Sequence, residues 1–171
     1  NYVARLSDVT ASGALVRVQD ATAAADAVYG VTVRCVAAEV GVYTEGVDGV
    51  TMEVGLMSSS VLDSRSTGYL GSVVDLENSY MQPVVLGHVQ TSNDALFQSF
   101  WASRTNNRFE VIPAGANSVR LGRHCGERVP PSPVASEMIG YFVIDAGSHV
   151  LNDGSGVYAT QTSKSAVSVS D

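Results

Sequence analysis

Lysine is almost missing from this chain: Lys164 is the only one among 171 residues. Ten Lys and Arg stand against 17 Asp and Glu, a formal charge of -7. Binding a phosphate backbone needs clustered cations, so the composition argues against a nucleic-acid partner. Aromatic residues make up only 7%, and a core must be built from Val, Leu, Ile and Ala. No apolar run approaches the roughly 20 residues that a membrane-spanning helix needs. There is no Asn-x-Ser/Thr triplet, so N-glycosylation is not expected. The chain opens at Asn1 without a basic segment followed by an apolar one, and it reads as a mature or excised piece. Cysteine is scarce as well. Cys35 lies in an apolar strand pattern and Cys125 in a polar loop. They read as one buried and one exposed thiol, or as a disulfide if the protein is extracellular.

A long helical period is also missing. What the sequence holds instead is short stretches of period-2 alternation between Gly, Asn and Asp turns. Tyr2–Val9 and Ala14–Gln19 read as a hairpin across Thr10–Gly13. Val31–Val40 is a nearly continuous apolar run, the pattern of a buried strand. Val50–Met57, Gly71–Glu77 and Gln82–Thr91 are further strands, with Pro83 at a first position where a missing donor is tolerated. Phe97–Ser103 and Arg108–Ile112 are expected to pair across Thr105–Asn107. Pro113–Ala135 reads as one long loop, closed by Pro130, Pro131 and Pro133. Glu137–Gly147 and Gly156–Gln161 follow, and Ala166–Val169 alternates weakly. Such strands predict an all-β antiparallel sandwich.

The run Glu137–Gly156 shares its plan with Val31–Gly49: an apolar strand, an acidic residue (Asp145, Glu39), a Gly (Gly147, Gly41) and an Asp-Gly turn (Asp153-Gly154, Asp48-Gly49). Two tandem related units follow from this, 1–64 and 65–171, with a boundary in the Ser-rich connector from Ser58 to Gly68. The second unit opens with two strands for which the first has no counterpart. Unpaired strands leave backbone donors and acceptors open. Completion is expected from an upstream segment, from the second unit, or from a neighbouring molecule by β-strand addition.

QPVVLGHVQT, WASRTNNRFEV and EMIGYFVIDAGSHVLNDG together resemble the H-type-lectin-like β-sandwich repeats of large extracellular proteins. Pro83-Val84-Val85, Phe109, Glu137, Tyr141 and Gly147 occupy the places of that pattern. The likeness covers Gly71–Gly156 well and Ala4–Gly49 weakly, where Cys35 replaces the Tyr. It implies a sandwich fold and, by analogy with H-type lectins, N-acetylgalactosamine binding at subunit interfaces. No sugar-binding residue can be carried over to a position in this chain.

Chemistry-bearing motifs are sparse. His124, Cys125 and Glu127 share one loop, but zinc would need a second ligand pair. His88 and His149 read as structural histidines on or beside strands. Ser58–Ser60 has no nucleophile setting, and no Gly-x-Ser-x-Gly is present. Asp145 and Glu39 end equivalent strands, which suggests a structural role. Both Asp-Gly pairs are turn formers too poor in oxygen ligands for calcium. Trp101 and Tyr158 would stack on sugar rings if exposed, and core packing is the simpler reading of Trp101. Catalytic, cofactor-binding and metal residues are therefore all expected to be none, and no enzyme is expected. The sequence points to an extracellular structural protein that assembles with copies of itself, head to tail, into fibres or a surface layer. The alternative is a carbohydrate-binding adhesion module with glycans as partners.

Overall fold

In a computed structural model the described residues are 2–10, 12–20, 36–104, 112–126 and 128–159. The apolar run Glu137–Asp145 (β9) alternates Ile139, Tyr141 and Val143 against Met138, Phe142 and Ile144, and it buries residues on both sides. A strand apolar on both faces belongs at a sheet centre. There it pairs with Met52–Ser59 (β4) over eight positions and with Pro83–Val89 (β6) over seven, both antiparallel. Gly41–Tyr43 (β3) adds to the far side of β4, giving the order β3-β4-β9-β6. A second sheet holds Ser72–Asp75 (β5), Ser118–His124 (β8) and Ser99–Ser103 (β7), with β8 in the middle.

The two sheets pack face to face. Val143 and its neighbours Met57, Val85 and Tyr141 meet Val119 and Leu121 of β8, Val74 of β5, and Phe100 and Ala102 of β7. Leu76, Tyr80 and Ile112 close this core from the connecting segments. On the opposite face of the larger sheet, Met52, Ile144 and Val84 stand in one register row. That row is covered by Leu151, Val157 and Ala159. Two of these belong to Gly156–Ala159 (β11), which forms a hairpin with Gly147–Val150 (β10). The all-β antiparallel sandwich expected from the sequence is the observed architecture. Strands from both sides of residue 64 share the larger sheet, because β4 is bonded to β9. The chain thus supplies the partner that β3 and β4 require. Tyr2–Thr10 (β1) and Gly13–Asp20 (β2) form a two-stranded sheet of their own.

Several expectations are corrected. Residues 36–40 are exposed and belong to no strand, while 31–35 lie outside the described residues. Hydrophobicity there lacks a facing layer among the described elements. The partner of β7 is β8, from within the expected loop Pro113–Ala135. Residues 105–111, most of the expected partner, lie outside the described residues, as do 166–169. Strand β10 was not anticipated. The turn at Glu45–Asp48 is a single helical turn (α1), ended by Gly49 at φ 76°.

Few aromatics and no described disulfide leave the loops to be fastened by other means. Buried charged side chains do this work. Glu53 accepts from the backbone amides of Glu77 (3.2 Å) and Asn78 (2.7 Å) and from the Tyr80 hydroxyl (3.1 Å). Asp63 accepts from the amides of Leu70 (2.9 Å) and Gly71 (3.3 Å) and from Trp101 Nε1 (3.0 Å). Arg123 is fully buried. It donates to the carbonyls of Val61 (3.2 Å), Ser59 (2.9 Å) and Ala135, and to Gln98 Oε1 (2.8 Å). A buried charge is tolerable only when its hydrogen-bonding capacity is met, and here loop backbone meets it.

Candidate interaction site

The hairpin β1–β2 is the element that the sandwich does not absorb. Its ladder pairs Arg5 with Arg17, Leu6 with Val16 and Ser7 with Leu15. The register then shifts between Ser7 and Thr10, where Asp8 takes φ 51°. At the tip, Thr10 Oγ1 donates to the Gly13 carbonyl (3.1 Å) and accepts from the Ser12 amide (3.3 Å). Val9, Leu15 and Val16 are 49%, 48% and 38% exposed. An isolated two-stranded hairpin is marginal in water and needs a third strand or a packing surface. This one touches the body through Ala4 and Arg5, midway along its ladder.

Arg5 makes that attachment. Its guanidinium enters a socket beyond β6 and donates to the carbonyls of Asp94 (2.9 Å), Leu96 (3.1 Å) and Thr91 (2.7 Å). It also pairs with Glu137 Oε1 at 3.1 Å, the two side chains being 4% and 0% exposed. Glu137 opens β9, and its remaining capacity is taken by the amides of Asp94 (2.7 Å) and Asn93 (3.1 Å) and by the Thr91 hydroxyl. One carboxylate therefore shapes the 91–94 turn and neutralises the incoming arginine. The Ala4 carbonyl meets His88 Nε2 on β6, while His88 Nδ1 faces the Val89 carbonyl (2.7 Å). A neutral imidazole donates to only one of these carbonyls and an imidazolium to both. Between hairpin and turn lies a half-open cleft of about 380 Å³, bordered by Arg5, Arg17, Val18, Ser92, Asn93 and Ala95.

Burial works against ionised Glu137, but hydrogen bonds from Thr91 and the Asn93 and Asp94 amides, with Arg5 beside it, hold its carboxyl below the usual glutamate value. Its contribution to stability is complete above the unfolded-chain value of about 4.3. That contribution is lost as pH falls through the lower folded-state value. A pH titration followed by NMR at the amides of Arg5 and Asp94 should show a transition with its midpoint below that of a free glutamate. A midpoint at or above the free value would contradict the socket geometry.

The residues singled out from the sequence scatter over the molecule. Cys125 is a free thiol and buried, not exposed; Sγ lies 3.3 Å from the carbonyls of both Asp63 and Arg128, which share its one S–H donor. Burial pushes its thiol up. Cys35 and Glu127 lie outside the described residues. His124 Nδ1 accepts from the Gly126 amide (2.8 Å). Among the described residues, no three His, Cys, Asp or Glu side chains gather as a metal site would require. His149 Nε2 faces the Asp145 carbonyl (2.8 Å), and Asp145 caps the Gln82 amide (2.7 Å). Asp48 accepts from the Thr44 amide, and Asp153 from the Ser155 amide and hydroxyl, as turn formers do. Ser58 Oγ pairs with Ser136 Oγ, and Glu39 offers its carbonyl to Tyr43. Tyr158 is exposed.

Trp101 is half-buried on the outer face of the smaller sheet. Its ring covers Gly122 on the neighbouring strand, where a Cβ would come within 2.5 Å of the indole, and Gly71. Tyr69 meets Trp101 edge-on (5.1 Å) and stacks on His124 (4.7 Å). The three rings form one partly exposed cluster, with Asp63 fixing the indole from behind. Sequence reasoning singled out neither Arg5 nor Tyr69. Arg5 stands in an alternating strand, where a charge reads as solvent-facing, and Tyr69 in a turn. The sequence signal for the socket was Glu137, the acidic residue that starts the most apolar strand.

No helix among the described residues is long and apolar enough to cross a membrane. No protein-family model, curated protein or solved structure matches the chain.

Proposed function

We infer that this is a non-catalytic structural protein of the extracellular space, assembling with copies of itself into fibres or a surface layer through β-strand complementation. One observation carries the reading: β1–β2 is hydrogen-bonded as a strand to neither sheet, is held midway along its ladder by Arg5, and leaves Val9, Leu15 and Val16 exposed. A hairpin in this state gains from a neighbour that extends its ladder and covers its apolar residues. The contact is head to tail, because the hairpin of one copy meets a different surface on the next. Such contacts propagate into filaments unless the rotation closes. Fully burying a leucine side chain contributes about 1.5–3 kcal/mol; Leu15 is 48% exposed, so covering the remainder contributes roughly half of that, and an aspartate there adds the cost of burying a charge. Leu15→Asp should therefore raise the concentration needed for assembly by at least about tenfold, read by sedimentation, with the strand signal in circular dichroism unchanged. An unchanged threshold would remove the hairpin from the interface.

The ring cluster of Trp101, Tyr69 and His124 favours a second reading, a carbohydrate-binding adhesion module. Partly exposed aromatic faces present apolar area to the C–H face of a sugar. A glycan array with the intact chain tests it. Binding that disappears in Trp101→Ala supports this reading, and an array without signal above background eliminates it.

A further inference from the structure

We propose that the cleft between the hairpin and the 91–95 turn is a binding site for a small sugar acid, a polyhydroxylated ligand with one carboxylate. The Arg17 guanidinium takes the carboxylate. The Ser92 hydroxyl and Asn93 Oδ1 meet ligand hydroxyls, and Val18 and Ala95 offer apolar area to a C–H face. All five residues border the cleft, whose volume of about 380 Å³ lies within the range of small-molecule sites. The site shares no residue with the ring cluster of Trp101, Tyr69 and His124, and it needs no second copy.

Charge decides the ligand's sign. Arg5 and Arg17 stand directly opposite each other in the hairpin ladder. Like charges in that position destabilise a strand pair. Arg5 is neutralised by Glu137 at 3.1 Å, and the Asp94 carboxylate acts on buried Arg123. Arg17 is exposed, and among the described residues no group pairs with it or accepts a hydrogen bond from it. One cation is thus left over at the rim of the cleft, in a chain whose net charge is -7. A planar fork of N–H donors matches the two oxygens of one carboxylate. A phosphate dianion would bring a second charge without a second cation to meet it. The groups around the fork are neutral. Asn93 gives its amide to Glu137 (3.1 Å) and Nδ2 to the Ser136 carbonyl (2.7 Å), which leaves Oδ1 as an acceptor. Ser92 is exposed, and its hydroxyl both donates and accepts. A hydroxylated acid has a partner for each of these groups, whereas a simple aliphatic acid has one for the guanidinium alone. Glu137 fastens the turn through Thr91, Asn93 and Asp94, so Ser92 and Asn93 stand on a held backbone, as a preorganised site requires.

The probe is sodium glucuronate, titrated into the intact, isotope-labelled chain below the concentration at which it assembles, and followed by NMR. Glucose and acetate are the parallel arms. The expected result is saturable shifts at the amides of Arg17, Ser92 and Asn93, with glucose and acetate each at least about tenfold weaker. Arg17→Gln should weaken glucuronate binding by about tenfold or more, and Arg17→Lys, which keeps the charge without the fork, should recover only part of the loss. Trp101→Ala should bind as the parent does. Both Arg17 variants change an exposed side chain, and unchanged spectra away from the cleft verify the fold. Acetate binding as tightly as glucuronate overturns the sugar-acid class, and glucose binding as tightly overturns the role of Arg17. Shifts centred on Trp101 and lost in Trp101→Ala place the ligand on the ring cluster and overturn the cleft site. The absence of any shift with glucuronate in large excess overturns it as well.

Discussion

Arg123→Ala should lower the melting temperature by roughly 10–15 °C, one of the two largest single-residue effects expected. Four acceptors depend on this side chain: the carbonyls of Ser59, Val61 and Ala135, and Gln98 Oε1. Truncation takes this donor from all four, of which only the Val61 carbonyl has another shown, the Ser59 hydroxyl at 3.3 Å, and opens a cavity in β8, the middle strand of the smaller sheet. Breaking a buried polar cluster by removing one member costs about 3–5 kcal/mol. For a protein of this size each kcal/mol moves the midpoint by about 2–4 °C. Burial lowers the guanidinium's affinity for its proton, and the charges of Glu137 and Asp94 restore part of it. Arg123→Lys should recover less than half of the loss, because one ammonium cannot span acceptors that a planar fork reaches from several sides. Thermal unfolding by circular dichroism measures both, and a melting point within 2–3 °C of the parent would show that these bonds hold nothing together.

Glu137→Ala should cost about 3–5 kcal/mol as well, with a different signature. The Arg5 guanidinium stays buried against carbonyls with its counter-charge gone, and the amides of Asn93 and Asp94 lose their acceptor. Damage should therefore concentrate around Arg5 in the hairpin and at the 91–96 turn. Hydrogen exchange should accelerate in those two segments, while the paired amides of β4 and β9 stay protected. A double-mutant cycle separates the pair from its surroundings. Arg5→Met with Glu137→Met should be less destabilised than the sum of the single changes by about 1–3 kcal/mol, because the double variant leaves no unpaired charge. Additivity would mean that Arg5 and Glu137 act independently despite their 3.1 Å contact.

The fold was legible wherever a strand has at least one apolar face and a turn residue marks its end. The hairpin β1–β2, β4, β6 and β9 all have this form, and Pro83 starts β6 as its missing donor requires. Strand β8 escaped because its sequence, SVRLGRH, carries two arginines and a glycine. Arg123 faces inward there to serve loop carbonyls, and Gly122 is bare because the Trp101 ring lies over it. Both look like loop chemistry until the neighbouring strand is known. Val36 and Val40 misled in the opposite direction, since they are apolar yet exposed. Periodicity reports what a segment can bury, not whether a layer is there to bury it. The buried charges Arg5, Glu53, Asp63, Arg123 and Glu137 were the least legible feature. Each is justified by backbone groups seven or more positions away in the chain, and no strand or helix period encodes those partners. Glu137 alone drew notice, through the resemblance to lectin-like repeats, and it is the residue on which the hairpin is anchored.

Assembly through the hairpin is tested most directly by sedimentation velocity of the purified chain over a wide concentration range, with negative-stain microscopy of the same samples. The expected result is a population that grows with concentration into filaments or sheets, and that reverts to single chains in Leu15→Asp. A single species of 17.9 kDa at every concentration, with no ordered polymer in the images, would contradict it.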